Sequence, residues 1–130
     1  MENQPIAKGR LYTSYGLQGL LTVMFLMGAA NNLLQTETAV KGATDFGYPA
    51  ESVLFLGIIL LISTILYAYP KTTILGAILL TAWLGGAVAT HIIHKDAVSM
   101  SLPAVFFGVL VWVSIWLRDG QLQGLFPLKN

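Results

Sequence analysis

The sequence predicts an all-α protein, an integral membrane four-helix bundle with antiparallel neighbours and both termini on the same side. Three observations carry that expectation. Of the 130 residues, 55% are hydrophobic and only 10% are charged, against roughly 25% charged in an ordinary globular domain. A soluble chain this short keeps a large share of its surface exposed and cannot hide so much apolar area. The apolar residues also fall into four runs, at 15–34, 53–69, 74–93 and 102–117, within one transmembrane domain spanning 1–130. At about 1.5 Å of rise per residue, such runs approach the roughly 30 Å thickness of a bilayer's hydrocarbon core.

Residues 1–13 read as a short tail, with Lys8 and Arg10 just ahead of the first span. The apolar middle and the small triplet Gly28-Ala29-Ala30 resemble a signal peptide and its cleavage site. The run is long for that, and an uncleaved helix is expected. Residues 35–52 form the longest connection, holding Glu37, Lys41, Asp45 and Glu51. Pro49 biases Tyr48 towards extended geometry, so the second span starts after it, with Glu51 or Ser52 available to cap its amides. Pro70-Lys71 stops that span, and so short a turn makes the second and third spans antiparallel neighbours.

The third span has Thr73, Ala77, Thr81, Gly85 and Ala89 every fourth residue, beside a second small row of Ala82, Gly86 and Thr90. Small residues at this spacing let helices approach closely in lipid, so both rows are expected to be packing seams. Residues 95–101 are a short polar connection. Pro103 suits the first turn of the fourth span, and Trp112 and Trp116 suit an interface near its end. Leu122, Leu125 and Phe126 are expected on a short surface helix. Lys8, Arg10, Lys71, Arg118 and Lys129 share one side, against Lys41 and Lys95 on the other. The positive-inside rule then puts both termini in the cytoplasm, with the chain integral to the cytoplasmic (inner) membrane.

An ordered series of motifs resembles the DoxX-like family of small four-helix membrane proteins. It runs from Phe46-Gly47-Tyr48-Pro49 through Leu56-Gly57-Ile58, Leu66-Tyr67, Pro70-Lys71-Thr72 and Leu75-Gly76-Ala77. Leu84-Gly85-Gly86-Ala87-Val88-Ala89-Thr90-His91 is its most specific run, and Leu117-Arg118-Asp119 also fits. The resemblance implies a four-helix bundle in the cytoplasmic membrane. Its members mostly lack a defined activity, and some are linked to respiratory or sulfur-redox systems as membrane subunits expected to meet quinones. Family members often carry a glutamate just after the Leu-Gly-Ile stretch, where this chain has Leu60 or a neighbour.

The composition excludes several classes of chemistry. Cysteine is absent, which rules out thiol–disulfide chemistry by this chain and Cys-ligated zinc or iron–sulfur sites. A net charge of +1 suggests no nucleic-acid partner. No span interior holds a carboxylate, lysine or arginine of the kind that marks pumps and coupled transporters. No nucleophile–base pair or phosphate-binding glycine loop is present, so no catalytic residue is assigned and an enzyme is not the favoured reading.

His91 and His94 stand one turn apart, about 60° around the helix. A metal would need three or four converging ligands, with Glu37, Asp45, Glu51 or Asp96 completing the set. None is assigned. His91 is instead the centre of a candidate ligand-lining group with Asn32, Tyr48, Trp83 and Thr90, grouped by depth near the outer face. Neutral His91 would there donate to a quinone or another carbonyl. Gln18, Thr22 and Asn32 share one side of the first span, the other two within about 40° of Gln18. Interhelical glue is the expected role of that row.

The favoured function is a membrane accessory or binding subunit holding a quinone-like or lipid ligand for a redox system. Its partners would be the lipid bilayer, membrane redox proteins and, for a surface so rich in apolar faces, a second copy in a homodimer. The alternative is a structural or assembly factor for partner membrane proteins, with a stand-alone oxidoreductase third.

Overall fold

The computed structural model describes residues 6–129. Every regular element among them is helical: α1 (Lys8–Leu33), α2 (Glu37–Asp45), α3 (Ser52–Ala68), α4 (Thr73–Ile93), a 3-10 turn (Val98–Ser101), α5 (Leu102–Trp116) and α6 (Gly120–Leu125). Two segments, Thr73–Ile93 and Val98–Trp116, are long and apolar enough to cross a membrane. α1 with α2 makes a third candidate, bent by 88°, and α3 is a shorter apolar helix.

The boundaries differ from the sequence expectation in instructive ways. α1 begins at Lys8, so Lys8 and Arg10 form its first turn and not a tail. Nothing after Pro5 breaks a helix there, and Thr13 returns its hydroxyl to Gly9 O at 2.7 Å. The long connection contains α2, with Thr36 as N-cap accepting from Ala39 N at 3.1 Å and Glu37 in the first turn. Gly47, at φ +94°, then turns the chain into Tyr48-Pro49. Neither Glu51 nor Ser52 caps α3. Glu51 makes no side-chain cap bond, and Ser52 Oγ donates to Pro49 O at 2.6 Å. The short terminal helix is present as α6, capped by Asp119, whose Oδ1 accepts from Gln121 N and Leu122 N.

α1 packs on α3 and α5, α4 packs on α3 and α5, and a small apolar core fills the middle. Leu21, Phe25, Leu60, Tyr67, Leu80 and Val111 are among its buried members. Leu60, at the place where family resemblance led one to look for an acid, is a core leucine that fills the space beside Gly28. Outside the core the usual arrangement is inverted. Phe55, Ile62, Ile78, Phe106 and Val109 face outward, while Ser14, Gln18, Ser63, Thr64 and Ser114 are buried. Exposed apolar area on this scale marks contact with a membrane or with other proteins.

Glycines set the closest approaches. A Cβ on Gly76 would lie 2.1 Å from Tyr67 N and 2.3 Å from Tyr67 Cα, so the α3–α4 hairpin closes on bare backbone. A Cβ on Gly57 would lie 2.8 Å from Asn32 Cβ, at the far end of α1. The small rows of α4 are not the continuous seam the sequence suggested. Thr73, Gly76 and Ala77 are buried, whereas Ala82, Gly85, Gly86 and Ala89 are exposed. Leu84, beside Gly108, is the last buried residue of α4.

Candidate functional site

Beyond the fold itself, three places carry polar chemistry or open volume. The first is the His91 end. His91 Nδ1 and Asp96 Oδ2 lie 2.7 Å apart, and His94 Nδ1 and Asp96 Oδ1 2.9 Å apart, so one carboxylate receives both imidazole N–H groups. Phe46 meets both rings edge-on, at centroid distances of 5.1 and 4.9 Å. The hydrogen bond to Asp96 holds the His94 pKa above its ordinary value, with the Asp96 charge and Asp45 adding to it. The same bonds, His94 first and His91 second, hold the Asp96 carboxyl below its ordinary value. Among the described residues no group of three or more His, Asp or Glu is arranged to hold a metal.

The other sequence-predicted residues are only partly gathered here. Thr90 Oγ1 donates to Gly86 O at 2.8 Å, which leaves its oxygen to accept from Tyr48 O–H. Tyr48 thus pins the long connection to α4, one residue before His91. Trp83 stands two turns back from Thr90 on nearly the same side of α4, about 20° away by helical geometry. Its Nε1–H is buried and has no partner among the described residues. Asn32 sits against Gly57 on the α1–α3 contact. Tyr48, Thr90 and His91 are therefore close in space, and no side-chain hydrogen bond among the described residues ties Asn32 or Trp83 to them. The tautomer matters too. With Nδ1–H directed at Asp96, neutral His91 offers Nε2 as an acceptor, and only the protonated ring can donate to a carbonyl.

The second place is an apolar groove of about 660 Å³ between α4 and α5, closed at one end by the chain after α6. Gly85 and Gly108 form its floor, and Trp112, Trp116 and Phe126 form one end. Trp112 Nε1 donates to Thr81 Oγ1 at 2.7 Å and Trp116 Nε1 to Phe126 O at 2.9 Å, so both indoles present apolar faces with their polar atoms satisfied. Thr81, Leu84 and Val88 supply the α4 wall; His91 stands three residues past Val88 and does not itself line the groove.

The third place was not found by sequence reasoning. Arg118 follows α5, and its guanidinium turns inward to α1. NH1 donates to Ser14 Oγ at 2.6 Å and to Ser114 O at 3.4 Å, while NH2 donates to Gln18 Oε1. Ser14 Oγ passes its own proton to Ser114 O. Gln18 Nε2 donates to Tyr67 O at 2.8 Å, and Tyr67 O–H reaches Ser114 Oγ and Val111 O. Arg118 also stacks on Tyr15, 4.3 Å from the ring centroid. This network joins α1, α3 and α5. The Ser14–Gln18 spacing and the position of Arg118 just past a span were the available signals; a count of charges inside spans passes over an arginine that enters from the end.

An all-helical chain with apolar outer faces and a buried polar network is the pattern of a membrane protein. The DoxX-like family model matches residues 16–114. The chain belongs to the DoxX-like family. No curated protein and no solved structure matches it.

Proposed function

We propose that this chain is a four-helix membrane bundle, with antiparallel neighbours and both termini in the cytoplasm, that serves as an accessory subunit holding a quinone-like or lipid ligand for a redox system. Contacts between helix ends support the topology: Arg10 Nε donates to Leu117 O at 3.0 Å, and Gln18 reaches the end of α3 at Tyr67. The positive residues Lys8, Arg10, Lys71 and Arg118 then fall together on the inner side.

The α4–α5 groove carries the ligand reading. Its volume of about 660 Å³ lies within the roughly 300–1,000 Å³ typical of small-molecule sites. Its walls suit an isoprenoid or acyl tail, and in this reading the head of the ligand extends past Val88 towards His91, one turn further along α4. A neutral His91 polarised by Asp96 accepts a hydrogen bond at Nε2, so a hydroxyl-bearing, reduced quinone-like head is received better than its carbonyl form. In this reading Tyr48 and Thr90 hold the outer connection in place around His91, and Trp83 and Asn32 line the helix contacts behind it.

Gly85→Leu tests the groove, because a Cβ there meets nothing within 4 Å and the rest of the side chain extends into the open groove. A short-tailed quinone should quench tryptophan fluorescence saturably in the wild-type protein. Gly85→Leu should weaken that binding by about tenfold or more, equivalent to about 1.4 kcal/mol, with thermal stability unchanged. His91→Gln should weaken binding of the reduced form selectively. Absence of any saturable change overturns the ligand reading. The second reading, a structural or assembly factor, is favoured by the exposed row Ala82, Gly86 and Ala89, which would let a partner helix approach closely. Leucine at Gly86 would then abolish cross-linking to that partner.

A further inference from the structure

We infer that the open pocket at the Arg118 end is a binding site for a phosphate group, presented by an anionic phospholipid of the inner leaflet. The pocket, of about 1510 Å³, lies between the start of α1, the α3–α4 hairpin and the end of α5 with α6. Two guanidiniums, Arg10 and Arg118, and a single carboxylate, Asp119, line it. That carboxylate is engaged in capping α6.

The guanidiniums are held in a way that leaves donors to spare. Arg118 is fixed from behind by Ser14, Ser114 and Gln18, and its face lies on Tyr15. Its Nε–H and the second NH2 proton have no partner among the described residues. Arg10 donates only Nε–H, to Leu117 O, and stacks over Trp116 at 5.6 Å, which leaves both terminal nitrogens available. The ion pairs among the described residues are Lys41–Asp45 and the two histidines with Asp96, and neither guanidinium takes part in one. Every partner of Arg118 is neutral. A part-buried cation with only neutral ligands at the edge of a low-dielectric region calls for an anion, and the planar fork of arginine matches phosphate oxygens.

The walls say which phosphate. Ile6, Val23 and Ile74 line the same pocket, so the anion enters with apolar substituents attached. The volume is far larger than an inorganic phosphate needs. A glycerophospholipid whose headgroup meets Arg10 and Arg118 and whose upper acyl segments lie on these side chains fills both parts. The placement in the inner leaflet rests on the topology proposed above; the binding chemistry does not, and a micelle measures it without reference to sidedness.

The delipidated full chain in a zwitterionic detergent, titrated with phosphatidylglycerol or phosphatidylcholine and read by native mass spectrometry, tests the site. Phosphatidylglycerol should bind about tenfold or more tightly than phosphatidylcholine. Arg118→Gln and Arg10→Gln should each remove most of that preference, while Lys41→Gln at the opposite end leaves it unchanged. Arg10 makes one bond at the surface, so Arg10→Gln keeps the test valid if Arg118→Gln does not fold. Displacement of phosphatidylglycerol by millimolar inorganic phosphate would keep the site and make a soluble phosphate its source. Equal binding of the two lipids, or no effect of Arg10→Gln, overturns the inference.

Discussion

Gly76 and Gly85 stand on the same helix, and a methyl group added to each would have opposite consequences. On Gly76 it would strike the Tyr67 backbone at 2.1 Å, and on Gly85 it would meet nothing within 4 Å. The two ends of the molecule differ in the same sense. Around Gly76 the helices touch backbone to backbone, and a hydrogen-bonded network from Arg118 through Gln18 and Tyr67 ties three of them together. Around Gly85 and His91 α4 has no further buried apolar residue, and apart from Tyr48 to Thr90 the polar contacts run along short stretches of chain, such as His91 and His94 to Asp96. On the Gly76 face α4 is closed against backbone, and on the Gly85 face it borders an open groove. The lesson is that similar small-residue spacing can serve as a seam or as a cavity floor, depending on what the neighbouring helix presents.

The sharpest way to break the comparison is at the glycines. Gly76→Ala should cost more than about 3 kcal/mol, because backbone atoms of α3 must move to admit the methyl group. Gly85→Ala should be neutral or stabilise by up to about 1 kcal/mol through helix propensity. Denaturant unfolding in micelles measures both, and equal effects would sink the distinction. A smaller effect is expected at the hydroxyls. Tyr67→Phe removes the bonds to Ser114 Oγ and Val111 O and should cost about 1 kcal/mol. Tyr48→Phe, which frees only the outer connection from Thr90, should cost less than about 0.5 kcal/mol.

The smallest effect is electrostatic. His94 is raised and therefore contributes stability that is complete below its ordinary pKa of 6.5 and fades as pH rises through its folded value. Asp96 is lowered, so its contribution is complete above its ordinary 3.8 and fades as pH falls through its folded value. The cluster is fully formed between those two ordinary values. In Asp96→Asn the His94 imidazole should titrate at lower pH than in the wild type, as seen in its NMR proton shifts. An unchanged midpoint would remove Asp96 as the cause.

Composition and periodicity made the helical class and the apolar runs legible, since lipid-facing positions must be apolar and most of the core is too. The ordered motifs from Phe46 to His91 made the family legible. Three things escaped. α2 is polar and short, and its cap at Thr36 is a local signal that loop composition obscures. Which small residues of α4 pack depends on helix rotation, which the sequence does not report: Ala77 is buried, and Gly85 on the same row is not. Arg118 looked like an end marker because its Cα lies past the span, yet its side chain runs back to Ser14 and Gln18. Of the expected ligand group, Tyr48, Thr90 and His91 were near in depth and are near in space. Sequence reading had no means of seeing that Asp96 would fix the tautomer of His91.

The Arg118 network also constrains how the molecule is made. Ser14 and Gln18 are synthesised about a hundred residues before Ser114 and Arg118, so α1 is made with an amide and a hydroxyl that have no partners yet. The Gln18 amide N–H finds Tyr67 O once α3 is made, but Ser14 Oγ and Gln18 Oε1 wait for α5 and Arg118. Closure therefore waits on the C-terminal residues. A ribosome-bound chain halted before Arg118 should hold α1 to α5 and still lack the guanidinium bonds to Ser14 and Gln18.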